Sequence, residues 1–200
     1  MSGWRHGHQP RDGAGRSREV LENWQEMSER NASQTALVTA YLRAAHQVLD
    51  QPPLILDDPV ALRLLGSGAE QRIREGTDRY QSPEAVSLRS HVVLRSRFAE
   101  DRLLVAVQRG VSQYVIVGAG FDTFALRQTR WADSLAIIEV DHPGSQAAKQ
   151  SRIAEARMQI PKNQVFAGID FEHESLLAGL LILSSVQFET NYPWPSGKTV

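Results

Sequence analysis

Cysteine is absent from all 200 residues. That excludes disulfides, thiolate metal centres and a cysteine nucleophile together. A surplus of either charge is also absent: 22 Lys and Arg stand against 23 Asp and Glu, a formal net charge of -1. Proteins whose partner is a nucleic acid or an anionic membrane carry a basic excess, so neither partner is expected. No apolar run is long enough to cross a bilayer, and residues 1–30 hold no apolar segment of the signal-peptide kind. Asp12 and Glu19 argue against a mitochondrial presequence. A soluble protein of a reducing compartment, the cytoplasm, is the expectation.

What is present falls into a tail, a helical stretch and an alternating stretch. Residues 1–30 are rich in Gly, Arg and His without an apolar period, which predicts disorder. His6 and His8 read as part of that solvated tail, and no metal is expected. In 33–49, Ser33 is a plausible helix cap, and Ala36, Leu37, Ala40, Tyr41, Ala44 and Val48 recur at helical spacing. Pro52 and Pro53 break that helix. Asp57 and Asp58 before Pro59 restart it, and capping is the reading favoured for this carboxylate pair. Residues 66–82 predict a loop with a short helix. From Pro83 a long helix is predicted, with Leu88, Val92, Arg95, Ala99, Leu103 and Val107 on one face and Gly110 as its stop. Arg95 is the one charge on that apolar stripe; snorkelling at a helix edge is the bland explanation.

Three strand-loop-helix units follow, "QYVIVGAGFDTFALR", "LAIIEVDHPGSQAAKQSRIAEAR" and "NQVFAGIDFEHESLLAGLL". Alternation of this kind predicts an α/β fold with a parallel sheet. Residues 115–117 and 135–140 are almost continuously apolar, as strands buried on both faces are.

Gly118 permits a sharp turn off the first strand, and Gly120 permits close approach of a ligand to the backbone. A dinucleotide fingerprint asks for a third glycine, where this chain has Thr123. Asp122 stands at the predicted start of the following helix, where a pyrophosphate needs freedom from negative charge. A carboxylate there suits a cofactor with no phosphate and a positive charge, such as S-adenosylmethionine; a plain helix cap is the alternative. Glu139 and Asp141 are two apart and share a face if extended. Asp141 lies about 20 residues beyond the turn, where an acid accepts hydrogen bonds from both ribose hydroxyls; a turn aspartate before Pro143 is the alternative. Asp170, after the third strand, can accept from an adenine amino group, with Phe171 against the ring, or it can cap a helix.

Taken together, "SQTALVTAYLRAA", "LDDPVA", "LRSRFAED", "VIVGAGFDTFALR", "EVDHP" and "DFEHESL" resemble the leucine carboxyl methyltransferase-like, S-adenosylmethionine-dependent methyltransferases, their actinobacterial members above all. The resemblance covers roughly residues 33–180. It implies a Rossmann-like methyltransferase sheet, its N-terminal half at 111–180 with parallel strands and flanking helices, under a helical cap at 31–110. It implies that Arg95 pairs with the methionyl carboxylate, that Gly118 lines the methionine part, that Asp141 holds the ribose, and that Asp170 and Phe171 frame the adenine. The implied reaction is direct displacement of the sulfonium methyl by an acceptor oxygen, that of a small-molecule or protein carboxylate. A carboxylate needs no general base, so no catalytic acid or base is named among the six His or elsewhere.

After "LLAGL" the recognisable motifs end, and 181–200 reads as a divergent tail, with "LILSSVQF" as a possible fourth strand. A full domain of this kind has three or four further strands at roughly 30 residues per unit. A shortened reading of a longer methyltransferase is therefore expected, with 114–117 as an exposed apolar edge. Two rival readings stay open: a non-catalytic cofactor-binding or interaction module, and a nicotinamide-dependent oxidoreductase on a similar fold.

Overall fold

The computed structural model describes residues 34–127 and 129–176. The expected tail at 1–30, the Ser33 cap, the helix after the third strand, the "LILSSVQF" strand and the segment 181–200 lie outside them.

The first helix, α1, covers 34–49. Small residues make it a packing helix: Ala40, Ala44 and Ala45 are at most 3% exposed. Next come α2 (Pro59–Leu64), α3 (Ala69–Glu75) and α4 (Thr77–Tyr80), so 66–82 holds more helix than the sequence predicts. Asp58 caps α2 by accepting from Ala61 N–H at 3.1 Å, with Pro59 in the first turn. The long helix α5 (Pro83–Gln108) starts at Ser82, whose hydroxyl accepts from Ala85 N–H at 3.2 Å. It stops where Gly110 takes φ +93°, a left-handed conformation that glycine adopts without strain.

The parallel sheet follows: β1 (Gln113–Val117), β2 (Ala136–Asp141) and β3 (Gln164–Gly168), in spatial order β1-β2-β3. Register pairs Val115 with Ile138 and Ile138 with Val165. The crossover from β2 to β3 is α6 (Pro143–Glu155). This is the Rossmann-like arrangement of parallel strands with flanking helices. One core joins α1, α2 and α3 to Phe121, Leu126 and Ile153. A second joins Leu103 of α5 to Phe124, Ala132, Leu135 and Ile137. The N-terminal helices therefore share a core with the loop after β1 and with α6.

Three sequence expectations need correction. The stripe on α5 is buried only at its C-terminal end: Leu88, Arg95 and Ala99 are exposed and Leu103 is buried, whereas Arg89 and Val93, off the stripe, are buried. Ion pairs set the rotation. Arg89 donates to both Asp50 oxygens at 2.9 and 2.7 Å and to the Tyr80 carbonyl at 2.7 Å. Glu100, further along the same helix, accepts from Arg127 at 3.0 Å. A bidentate guanidinium is geometrically stricter than apolar contact, so the helix turns to satisfy it.

The second correction concerns β1, which is not buried on both faces and forms the exposed apolar edge expected at 114–117. Among the described residues it has only β2 as a neighbour, and Val115 and Val117 are 37% and 54% exposed. The central strand β2 fits the expectation, with Ile137, Ile138, Glu139 and Val140 all buried. The third concerns the loop after β1, where two short 3-10 turns, Ala125–Arg127 and Arg130–Ala132, stand in place of a helix. The Asp122 carboxylate accepts from Phe124 N–H at 2.8 Å. Such local side-chain bonds offer the backbone an alternative to helix.

Candidate cofactor site

The site lies where parallel strands place ligands, at their carboxyl ends. Gly118 and Ala119 donate their N–H groups to the Val140 carbonyl, at 2.8 and 3.2 Å. This folds the glycine turn over the end of β2. Gly118 and Gly120 have φ +66° and +48°. Gly120 also meets α1: a Cβ there would lie 3.0 Å from Ala36 Cβ. Conformation and close approach both demand glycine at position 120.

Asp141 ends β2 and is held from two sides. One carboxylate oxygen accepts from Gly120 N–H at 2.5 Å and the other from His142 N–H at 2.7 Å. Each oxygen keeps a lone pair for a further donor. Ile169 N–H donates to the Asp141 carbonyl at 2.9 Å, which brings the end of β3 alongside. The next residue, Asp170, accepts from Glu172 N–H at 3.0 Å and pairs with His173 Nδ1 at 2.8 Å. Those bonds hold its carboxyl below the usual range. Phe171 is 46% exposed, so a ring face is open. Asp170, Glu172 and His173 also form an exposed acidic cluster with metal-ligand spacing, but their bonds to one another and to backbone explain it.

Asp122 is committed inward. It accepts from Phe124 N–H and pairs with Arg43 at 3.0 Å, with about 24% of its side chain open to solvent. Burial acts to raise its carboxyl, and Arg43, Lys149 and the Phe124 N–H outweigh that, so it lies below the ordinary range. The structure therefore sets Asp141, at the end of β2, against the turn that holds Gly118, Gly120 and Asp122, with Asp170 and Phe171 beside it. It does not join Arg95 to them by any contact: that side chain is exposed and has no ion pair among the described residues.

Beneath the turn lies a charge network that the sequence did not reveal. Asp58, with no solvent exposure, accepts from Thr123 Oγ1 at 2.5 Å. Arg43 Nε lies 3.4 Å and Arg127 Nε 3.8 Å from it, and Arg127 continues to Glu100. One signal was present: Arg43 follows Ala40 by three positions on the apolar face of α1, where a charge is out of place.

Glu139, facing the same side of β2 as Asp141, is wholly buried and bonds Lys149 of α6. Burial drives its carboxyl up, the Lys149 ammonium only partly offsets this, and it stands at about 6 against an ordinary 4.5. The folded state then holds this proton more tightly than the unfolded chain does. Stability contributed by Glu139 falls as pH rises from about 4.5 to 6 and is level above that. Relative to Glu139→Gln, wild-type stability should drop by on the order of 2 kcal/mol between those limits. Denaturant unfolding of both proteins at pH 4, 5.5 and 7 measures it; a constant difference would show that folding leaves the Glu139 carboxyl unshifted.

This turn and these strand ends define a Rossmann-like α/β fold with an acid, Asp141, at the end of β2 against its glycine turn. The chain matches the leucine carboxyl methyltransferase family over residues 36–193, and it belongs to that family. The match runs past residue 180, where the recognisable motifs end. It is 33% identical over 165 residues to the Bacillus subtilis protein named "Putative S-adenosyl-L-methionine-dependent methyltransferase YktD", covering 72% of this chain and 54% of that protein. A protein of the same description from Parafrankia sp. is 29% identical over 139 residues, 68% of this chain and 44% of its own length. Another, from Mycolicibacterium paratuberculosis, is 31% identical over 130 residues, 62% and 42% respectively. The chain spans about half the length of the curated relatives it matches. Among the described residues no helix is long and apolar enough to cross a membrane.

Proposed function

We propose that this chain binds S-adenosylmethionine at the carboxyl ends of β1–β3, as part of a methyltransferase whose acceptor is a carboxylate oxygen. The observation that carries the cofactor reading is where the glycine turn spends its amides. Gly118, Ala119 and Gly120 N–H groups bond the Val140 carbonyl and the Asp141 carboxylate. Phosphate-binding turns need such groups free. A cofactor without phosphate fits, and a pyrophosphate dinucleotide does not, which disfavours the oxidoreductase reading. Asp141 supplies acceptors for ribose hydroxyls, oriented before any ligand arrives. Phe171 offers a face to the adenine, and Asp170 an acceptor beside it. Arg95, with no partner among the described residues, supplies a guanidinium for the methionyl carboxylate.

When bound, the cofactor supplies an electrophilic sulfonium methyl. The residues of this chain bind and orient it, and no proton needs to move on a carboxylate acceptor. Family membership supports the carboxylate reading. Incubation with methyl-labelled cofactor and a panel of carboxylic acids and proteins tests it. A base-labile label, the mark of a methyl ester, is expected; a base-stable label would assign the acceptor to another atom.

A further inference from the structure

We propose that Arg43 is a positioning residue for the cofactor: it acts through the glycine turn to set Asp141. The inference rests on the functional reading above, and its observations lie outside the residues that reading uses. Arg43 is 5% exposed on a helix face that otherwise buries Ala40, Ala44 and Ala45. A buried cation among alanines is costly unless its partners require it.

Those partners surround the turn. Arg43 Nη1 donates to Asp122 Oδ2 at 3.0 Å, and its Nε lies 3.4 Å from Asp58 Oδ2. Asp122 N–H closes the turn on the Ala119 carbonyl at 2.7 Å. Two helical turns before Arg43, Ala36 sits against Gly120. Helix α1 thus grips the turn twice, at residue 120 by contact and at residue 122 by charge. Between these grips, Gly120 N–H donates to Asp141 Oδ2. The sequence of contacts is Arg43 to Asp122, Asp122 through the closed turn to Gly120, and Gly120 to the ribose acid. Thr123, the next residue, donates to Asp58 at the start of α2, which ties a second N-terminal helix to the same turn.

The test uses the full chain. Calorimetric titration with S-adenosylmethionine compares wild type, Arg43→Met, Arg43→Lys, Asp141→Asn and the Arg43→Met/Asp141→Asn double variant. Arg43→Met should weaken binding by about ten- to a hundredfold, the span of one charged hydrogen bond. Arg43→Lys should recover part of the loss. On the Asp141→Asn background, Arg43→Met should cost less than about threefold more, because both act through one group. Full additivity, or lysine no better than methionine, would overturn the proposal.

Amide exchange at Gly120, followed by NMR without cofactor, separates this idea from the functional reading. A selective acceleration of about tenfold at Gly120 in Arg43→Met, with β2 amides unchanged, is expected. Uniform acceleration across the sheet, or none at Gly120, would overturn it. If wild type failed to bind the cofactor, the functional reading would fall and the exchange result would still decide the role of Arg43 in the turn. Should Arg43→Met not fold, Asp122→Asn removes the same ion pair from the other side and keeps an acceptor for Phe124 N–H.

Discussion

Asp141→Ala should lower the affinity for S-adenosylmethionine by about a hundredfold or more, while the chain still folds. The size follows from two hydrogen bonds between ribose hydroxyls and a carboxylate, at about 1.5–3 kcal/mol each. The fold survives because the backbone donors that lose an acceptor, Gly120 and His142 N–H, lie in part-buried or exposed surroundings where water can replace it. Asp141→Asn should fall between, since an amide offers one accepting oxygen and Asp141 uses both. Titration calorimetry beside a thermal melt reads both quantities. A loss under about threefold, with a normal melt, would remove Asp141 from the ribose site.

The largest effect on stability is expected at Asp58. Its carboxylate, itself with no solvent exposure, caps α2, accepts from Thr123 and faces Arg43 and Arg127. Asp58→Ala removes the anion and leaves two guanidinium groups undercompensated in the core. Breaking a buried pair from one side costs about 3–5 kcal/mol, which is a fall in melting temperature of roughly 6–20 °C for a chain of this size. Asp57→Ala is the control: Asp57 is exposed, and a change within about 0.5 kcal/mol is expected there. Equal effects at the two positions would mean that neither the cap nor the network at Asp58 stabilises the fold.

This pair also shows how far the sequence could be read. "LDDP" announces a helix start, and α2 begins there. Which aspartate faces inward depends on Thr123 and Arg43, distant in the chain, and no local pattern contains that. The parallel sheet was legible because β-branched runs alternate with helical stretches, and Gly118, Gly120 and Asp141 were legible because the turn must precede the acid. The rotation of α5 was not. Leu88 and Ala99 suggest one face over the first half of the helix, while the bidentate bond from Arg89 to Asp50 selects another. Asp122 was recognised as an acid in a telling place, but its partner Arg43 lies 79 positions away. Long-range ion pairs leave only a misplaced charge in the sequence, and Arg43 among alanines was that trace.

The most direct test is calorimetric titration of the purified chain with S-adenosylmethionine, repeated with NAD. One-to-one binding of the first, competed by S-adenosylhomocysteine and weakened by Asp141→Ala, with no heat from the second, is the predicted result. A folded chain that binds NAD, or that binds S-adenosylmethionine with the same affinity when Asp141 is removed, would contradict it.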